Sequence, residues 1–223
     1  MKPCARTGVL ALAAILAPAA AVAAQPAETG WWLHAGVGQV TFHDSSTLSI
    51  AGSVVPGAGA KASDNTAAVF ELGYRFTPAW SASATFGVPP TSTVTGTGAA
   101  APLGKVGEVQ YGPLVLGAQY HFSGTAIPPY IRPYLGAGAV YYIVTRSKDG
   151  ALQQLDVKNG WGSALQAGAE FPLSDRYGLF LDVKKIFLKT KATGVLPAAG
   201  GAPAKAETTL NPVLVHAGMY FNF

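Results

Sequence analysis

The amino-acid sequence predicts an all-β fold: an eight-stranded antiparallel transmembrane up-and-down β-barrel with short periplasmic turns and long extracellular loops. Three observations lead there. Over residues 209–223, Val213, Val215, Ala217, Met219, Phe221 and Phe223 form an apolar row, and Leu214, His216, Gly218, Tyr220 and Asn222 a mixed one. A strand sends alternate side chains to opposite faces, so this segment has one greasy face and one wetter face. The same alternation recurs along the chain at regular intervals. Hydrophobic residues make up 49% of the chain, yet beyond its first segment no unbroken apolar run reaches the ~20 residues a membrane helix requires. In lipid every backbone polar group needs an internal partner, which a closed sheet supplies because it has no edges.

Taken in order, the chain opens with a short basic head, Met1 to Arg6, then an apolar run from Val9 to Ala24 that ends in small residues. Residues 1–24 are expected to be a cleaved signal peptide, leaving 25–223 as a single barrel domain. The one cysteine, Cys4, falls in that leader, so the remainder has no disulfide, zinc–thiolate site or cysteine nucleophile. The net charge of +4 includes Lys2 and Arg6, so the remainder carries 4 − 2 = +2. Such a balance offers no basic field for nucleic acid.

Trp31 to Phe42 reads as the first strand, with His34, Gly36 and Gly38 opposite an apolar row. Residues 43–65, rich in Ser, Gly, Ala and Pro, read as a long loop. In Thr66 to Phe76, Phe70, Leu72, Tyr74 and Phe76 oppose a row holding Glu71 and Arg75, a greasy face outward and a charged face inward. A tight turn at Thr77-Pro78-Ala79 leads into Trp80 to Val88, the cleanest alternation of all. Another loop, 89–107, precedes strands at Val109 to Phe122 and Ile131 to Arg146, linked through Pro128-Pro129. Polar residues 147–159 form a loop, and Trp161 to Phe171 and Tyr177 to Thr190 flank a tight turn. Residues 191–208 form the last loop before the closing strand. Trp31, Phe76, Trp80, Phe122, Phe171, Tyr177, Phe221 and Phe223 all fall at the short-turn ends, where an aromatic girdle belongs. A soluble lipocalin-like barrel would reverse the two faces; the aromatic strand ends favour the membrane form.

The run Leu116-Gly117-Ala118-Gln119-Tyr120-His121-Phe122, then Arg132-Pro133-Tyr134-Leu135-Gly136-Ala137-Gly138, resembles the OmpW family of bacterial outer-membrane proteins. Gly160 to Gly168 and Asn211-Pro212-Val213 extend the resemblance over essentially the whole mature chain, with a departure at Lys184-Lys185. The resemblance implies an eight-stranded barrel in the outer membrane with a narrow, largely apolar lumen. It also implies passage of small hydrophobic molecules, with lateral escape into the bilayer. The ending His216-x-Gly218-x-x-Phe221-x-Phe223 is similar to the C-terminal signal read by the outer-membrane assembly machinery. This makes Gly218, Phe221 and Phe223 a candidate assembly signal and that machinery a partner.

An eight-stranded barrel is just wide enough for its side chains to fill, or to hold one small ligand. The inward rows place Glu71, Arg75, His121, Arg132, Glu170 and Asp182 as a charged floor, either an ion-pair plug or a gate. Val140, Tyr142, Val144, Ile186 and Leu188 are expected to line the upper lumen, as packing or as the seat of a greasy ligand. Arg146, Lys148, Lys158, Lys189 and Lys191, with Lys185 and with Lys184 (which alternation also sets on the inward row beside Asp182), read as a basic extracellular rim. Such a rim is either merely solvated or bonded to lipopolysaccharide phosphates.

His34 and His216 face each other across the first and last strands with no serine beside either. His43 with Asp44, Ser45 and Ser46 is the nearest approach to a catalytic cluster, and a solvated loop explains it equally well. No enzyme activity, cofactor or metal is expected. The expected function is a narrow channel or binding site for small hydrophobic molecules in the outer membrane, with membrane lipids, lipopolysaccharide and a hydrophobic ligand as partners. The alternative is a non-transporting barrel that works through its surface loops or by binding lipopolysaccharide.

Overall fold

The computed structural model describes residues 29–43 and 45–223; residues 1–28, which hold the expected signal peptide and Cys4, and Asp44 lie outside the described residues. Fourteen strands follow in chain order. They are β1 (Gly30–Thr41), β2 (Ser45–Ile50), β3 (Ser53–Val54), β4 (Ala58–Ala62), β5 (Asn65–Arg75), β6 (Trp80–Gly87) and β7 (Thr91–Gly98), then β8 (Lys105–His121), β9 (Arg132–Asp149), β10 (Gln153–Val157), β11 (Gly160–Pro172), β12 (Tyr177–Leu196), β13 (Ala202–Leu210) and β14 (Val213–Asn222).

Eight of them close into a ring, β1-β5-β6-β8-β9-β11-β12-β14, every neighbour antiparallel. The seal is the β1–β14 ladder, in register from Trp32↔Asn222 to Thr41↔Val213. At its centre Gly36 lies opposite Gly218, and a Cβ on Gly218 would stand 2.6 Å from the Gly36 Cα. The wall itself therefore demands glycine at position 218, whatever the C-terminal pattern does.

The faces are inverted relative to a soluble protein. Val37, Leu116 and Leu165 are 59%, 54% and 57% exposed on the outside, while Glu71, Glu170, Asp182 and Lys184 are buried inside. This is the arrangement that lipid, not water, stabilises around a barrel. At the short-turn end Trp31 meets Tyr74 edge-on at 5.2 Å, and Trp80 meets Tyr120 at 5.1 Å, building the predicted girdle.

The segments read as loops are largely strand. Residues 43–65 hold β2, β3 and β4, residues 89–107 hold β7, and 147–159 hold β10. Residues 191–208 hold the end of β12 and most of β13. Their partners are distant: β2 pairs with β13 (Thr209↔Ser45 through Ala204↔Ile50), and β10 with β12. Small Thr, Ala and Gly side chains accept extended backbone, but their pairing exists only once the barrel brings the loops together. The result carries the wall well beyond the eight-stranded ring on the extracellular side.

One irregularity re-aims a side chain. The β8–β9 register shifts between Gln110↔Arg146 and Tyr111↔Val144. Tyr111 and Val109 are buried, so Gln110 and its partner Arg146 face outward while Val144 packs against the interior cluster.

Candidate functional site: a greasy chamber on a charged floor

The floor is built by inward positions at the periplasmic half of the ring. Glu71 (β5) is its hub: it accepts from Ser83 Oγ at 2.8 Å, Gln119 Nε2 at 2.8 Å and Lys184 Nζ at 3.0 Å. Lys184 also donates to Asp182 at 2.7 Å, and Asp182 accepts from Gln166 Nε2 at 2.6 Å and from the Tyr134 hydroxyl at 2.9 Å. Below this layer Glu170 Oε1 lies 3.4 Å from Arg75 Nη2 and 3.1 Å from His34 Nε2. His121 closes the layer, 2.9 Å from Ser81 Oγ and 3.5 Å from Arg75. Carboxylates this deep persist only with partners; Glu71 and Asp182 each have several, and Glu170 has two, both on Oε1, with Oε2 left without a hydrogen-bond partner.

The structure therefore brings Glu71, Arg75, His121, Glu170 and Asp182 together, while Arg132 sits half-buried in register with Glu170 at the bottom. Lys184 is corrected: read partly as a rim residue, it is 1% exposed and bridges two carboxylates in mid-barrel. Its neighbour Lys185 faces out, and its Nζ reaches up to the Asn211 carbonyl at 2.6 Å. His34 and His216 do not pair; Phe180 lies between them, stacked on His34 at 4.3 Å and edge-on to His216 at 4.6 Å. Trp32, Phe180 and Tyr220, which complete the plug, are aromatics on the inward row that were not among the charged floor residues.

Above the floor the lumen turns apolar at once. Val140, Tyr142, Ile186 and Leu188 pack with Phe42, Tyr111, Val115, Ala164 and Leu210, and Val144 borders the cluster. Tyr111 stacks on Tyr142 at 5.3 Å and meets Phe42 edge-on at 5.8 Å. Two cavities occupy this layer. The lower, about 30 Å³, touches Val40, Pro113, Val140, Ile186 and Leu214. The upper, about 100 Å³, lies among Phe42, Tyr111, Tyr142, Leu103, Leu152 and Leu155. A second apolar cluster, Leu152, Leu196 and Ala204 with Ile50 and Leu103, roofs it. These loop leucines had no interior signature, because their strands belong to no local pattern.

The wall beside the lower cavity is discontinuous. The β6–β8 pairing ends at Thr85↔Val115, and the next pair, Thr91↔Gln110, belongs to β7. Pro89, Pro90 and Pro113 occupy the interval and have no N–H to give a ladder. Tyr111 N–H bonds to the Pro90 carbonyl at 3.2 Å, and Gln110 Nε2 to that of Pro89 at 3.3 Å, so the interval is bridged locally.

On the extracellular rim, Glu108 is held by Lys105 at 2.6 Å and Lys148 at 3.4 Å, which keeps its carboxyl below the usual range. Glu207 is held the same way by Lys205 and Lys191. Lys158 pairs with Asp156 at 2.5 Å, while Arg146 and Lys189 are exposed. The Asp149 carboxylate accepts from the backbone N–H of Leu155 at 2.9 Å and Gln154 at 3.0 Å, and those bonds lower its pKa. His43 is exposed, and the Ser46 hydroxyl is committed to the Ala60 backbone, 2.6 Å from its nitrogen.

Closed ring, outward apolar face, interior charge and aromatic girdle together define a bacterial outer-membrane β-barrel of the small, filled type. The chain belongs to the OmpW family, whose pattern matches residues 28–223. It is 36% identical over 187 residues to the dibenzothiophene metabolism operon protein PahQ of Pseudomonas aeruginosa, covering 84% of this chain and 85% of that one. It is 30% identical over 176 residues to the outer membrane protein AlkL of Ectopseudomonas oleovorans, covering 79% and 74%. Among solved structures, the crystal structure of OprG from Pseudomonas aeruginosa superposes with a TM-score of 0.82 at 21% identity over 91% of this chain and 99% of that one. AlkL in lipid bilayers gives 0.67 at 27% identity, over 93% and 95%. The protein is located in the outer membrane.

Proposed function

We propose that this barrel is a conduit for small hydrophobic molecules, taken from the extracellular side into the apolar chamber and released sideways into the membrane. The observation that carries the reading is one of position. The apolar cavities stand directly on a floor of ion pairs, and the lower one touches Pro113, where the ladder lapses. Straight passage would drag an apolar molecule past Glu71, Lys184 and Asp182, whose mutual bonds would have to open without any replacement from the ligand. The prolines at 89, 90 and 113 give a lateral route a lower barrier than any paired stretch of wall.

The aromatic trio Phe42, Tyr111 and Tyr142 favours flat apolar molecules, through offset and edge-on ring contacts. The upper cavity, about 100 Å³, is of the same order as the roughly 150 Å³ apolar cavity known to take up benzene. Operon names of similar proteins point the same way, to dibenzothiophene metabolism. The reading is of a transport or binding protein, not an enzyme. The test is uptake of a radiolabelled fused-ring arene by cells with and without this protein, under conditions where diffusion through lipopolysaccharide is limiting. Faster uptake is expected with the protein, and equal rates would remove the conduit.

A further inference from the structure

Several extracellular cations gather on one side of the barrel, while Lys61 on β4 stands apart from them. Arg146 on β9, Lys158 between β10 and β11, and Lys189 and Lys191 on β12 all stand on one flank, on adjacent strands of the ring. Near the tops of β1, β5 and β6 the outward side chains are instead Gln39, bonded to the Thr66 hydroxyl, and Val88.

The same flank carries the marker of an interface. Trp161, 71% exposed, stacks against Tyr141 at 4.6 Å, and Asn159 Nδ2 donates to the Tyr141 hydroxyl at 3.3 Å. Below them Leu165 and Phe187 face outward as hydrocarbon-facing side chains do. One residue beyond the Gly162↔Leu188 pair, the register sets Trp161 beside Lys189. The lysine thus stands at the depth where an aromatic belt meets headgroups. Lys158, Asn159, Lys189, Lys191 and Thr209 border an open polar cleft of about 430 Å³ in which Glu207 is the one carboxylate. Glu207 is shared by Lys191 at 3.4 Å and Lys205 at 3.2 Å, and Lys158 is paired with Asp156 at 2.5 Å, so with Lys189 four lysines face two carboxylates and positive charge stays in surplus.

We infer that this flank is a binding site for a phosphate-bearing glycolipid of the outer leaflet, of the lipid A type. Its acyl chains would lie on Leu165 and Phe187, its sugar on Trp161 and Tyr141, and its phosphate between Lys158, Lys189 and Lys191. Charge-assisted bonds to phosphate oxygens are short and strong, and lysines at a headgroup surface add attraction residue by residue. The site is separate from the chamber and does not depend on transport.

The test uses the full barrel in detergent, titrated with diphosphoryl lipid A, with the same lipid stripped of phosphate, and with inorganic phosphate. In the Lys189→Gln/Lys191→Gln double variant, affinity for the diphosphoryl lipid falls roughly thirtyfold. Lys61→Gln, a change on the other flank, leaves it intact, and the stripped lipid binds all three proteins alike. Millimolar inorganic phosphate does not displace the lipid. A second pair, Arg146→Gln/Lys158→Gln, gives the same loss from neighbouring strands should the first pair disturb folding. An equal loss in Lys61→Gln, unchanged affinity in both pairs, or displacement by phosphate alone would each overturn the site.

Discussion

Lys184 and Glu71, three strands apart around the ring, meet at 3.0 Å with neither side chain reaching solvent. Their contact joins β12 to β5 across the lumen, and Asp182 and Gln166 extend it to β11. The floor is therefore a cross-brace as well as a barrier.

Removing the cation leaves two buried carboxylates uncompensated. Lys184→Met is expected to cost about 3–5 kcal/mol, read from urea unfolding in detergent. Lys184→Met combined with Glu71→Gln and Asp182→Asn should recover most of that loss. A single variant as stable as the parent would mean that water already fills the floor.

The proposed lateral route depends on missing donors. Pro89→Ala and Pro113→Ala together restore two N–H groups in the unpaired interval, one of them at the lower cavity, and they are expected to slow arene uptake while leaving the barrel stable. Uptake unchanged by this pair would place the exit elsewhere.

Gly73 faces the Trp32 indole, and a Cβ there would stand 2.7 Å from the indole nitrogen. Gly73→Ala should overpack the plug by about 1–3 kcal/mol and alter tryptophan fluorescence. Gly52→Ala, at a loop glycine with open space around it but φ +83, should leave that fluorescence unchanged and cost only local strain.

The β9–β10 turn should loosen in acid. Because backbone N–H groups hold the Asp149 carboxyl below its usual range, folding favours the ionised form. That stabilisation is complete above the ordinary aspartate range and is lost as pH falls through the lowered value. The Gln154 and Leu155 amide resonances should titrate with a midpoint below the usual one, and Asp149→Asn should flatten the curve. A midpoint at or above the ordinary value would break the assignment.

How much of this was legible follows from the period of a strand. Alternation alone assigns Glu71, Arg75, Glu170 and Asp182 to the interior and Leu72, Leu165 and Val215 to lipid, because one residue of slip would reverse every side chain. It also locates the girdle, since short turns and aromatics are both local signals. It set Lys184 on the same inward row as Asp182, while the charge also suggested the rim; only the approach of Glu71 from a distant strand makes burying a cation there favourable. Nor could it find the roof. Leu103, Leu152 and Leu196 come from segments whose small-residue or polar composition reads as loop, and they meet only because the loops pair with one another above the ring. The sequence by itself determined the ring and its inside-out faces, for these rest on nearest neighbours along a strand. The tertiary structure alone decided which charges neutralise each other, where the chamber lies and where the wall gives way, for these rest on contacts between residues far apart in the chain.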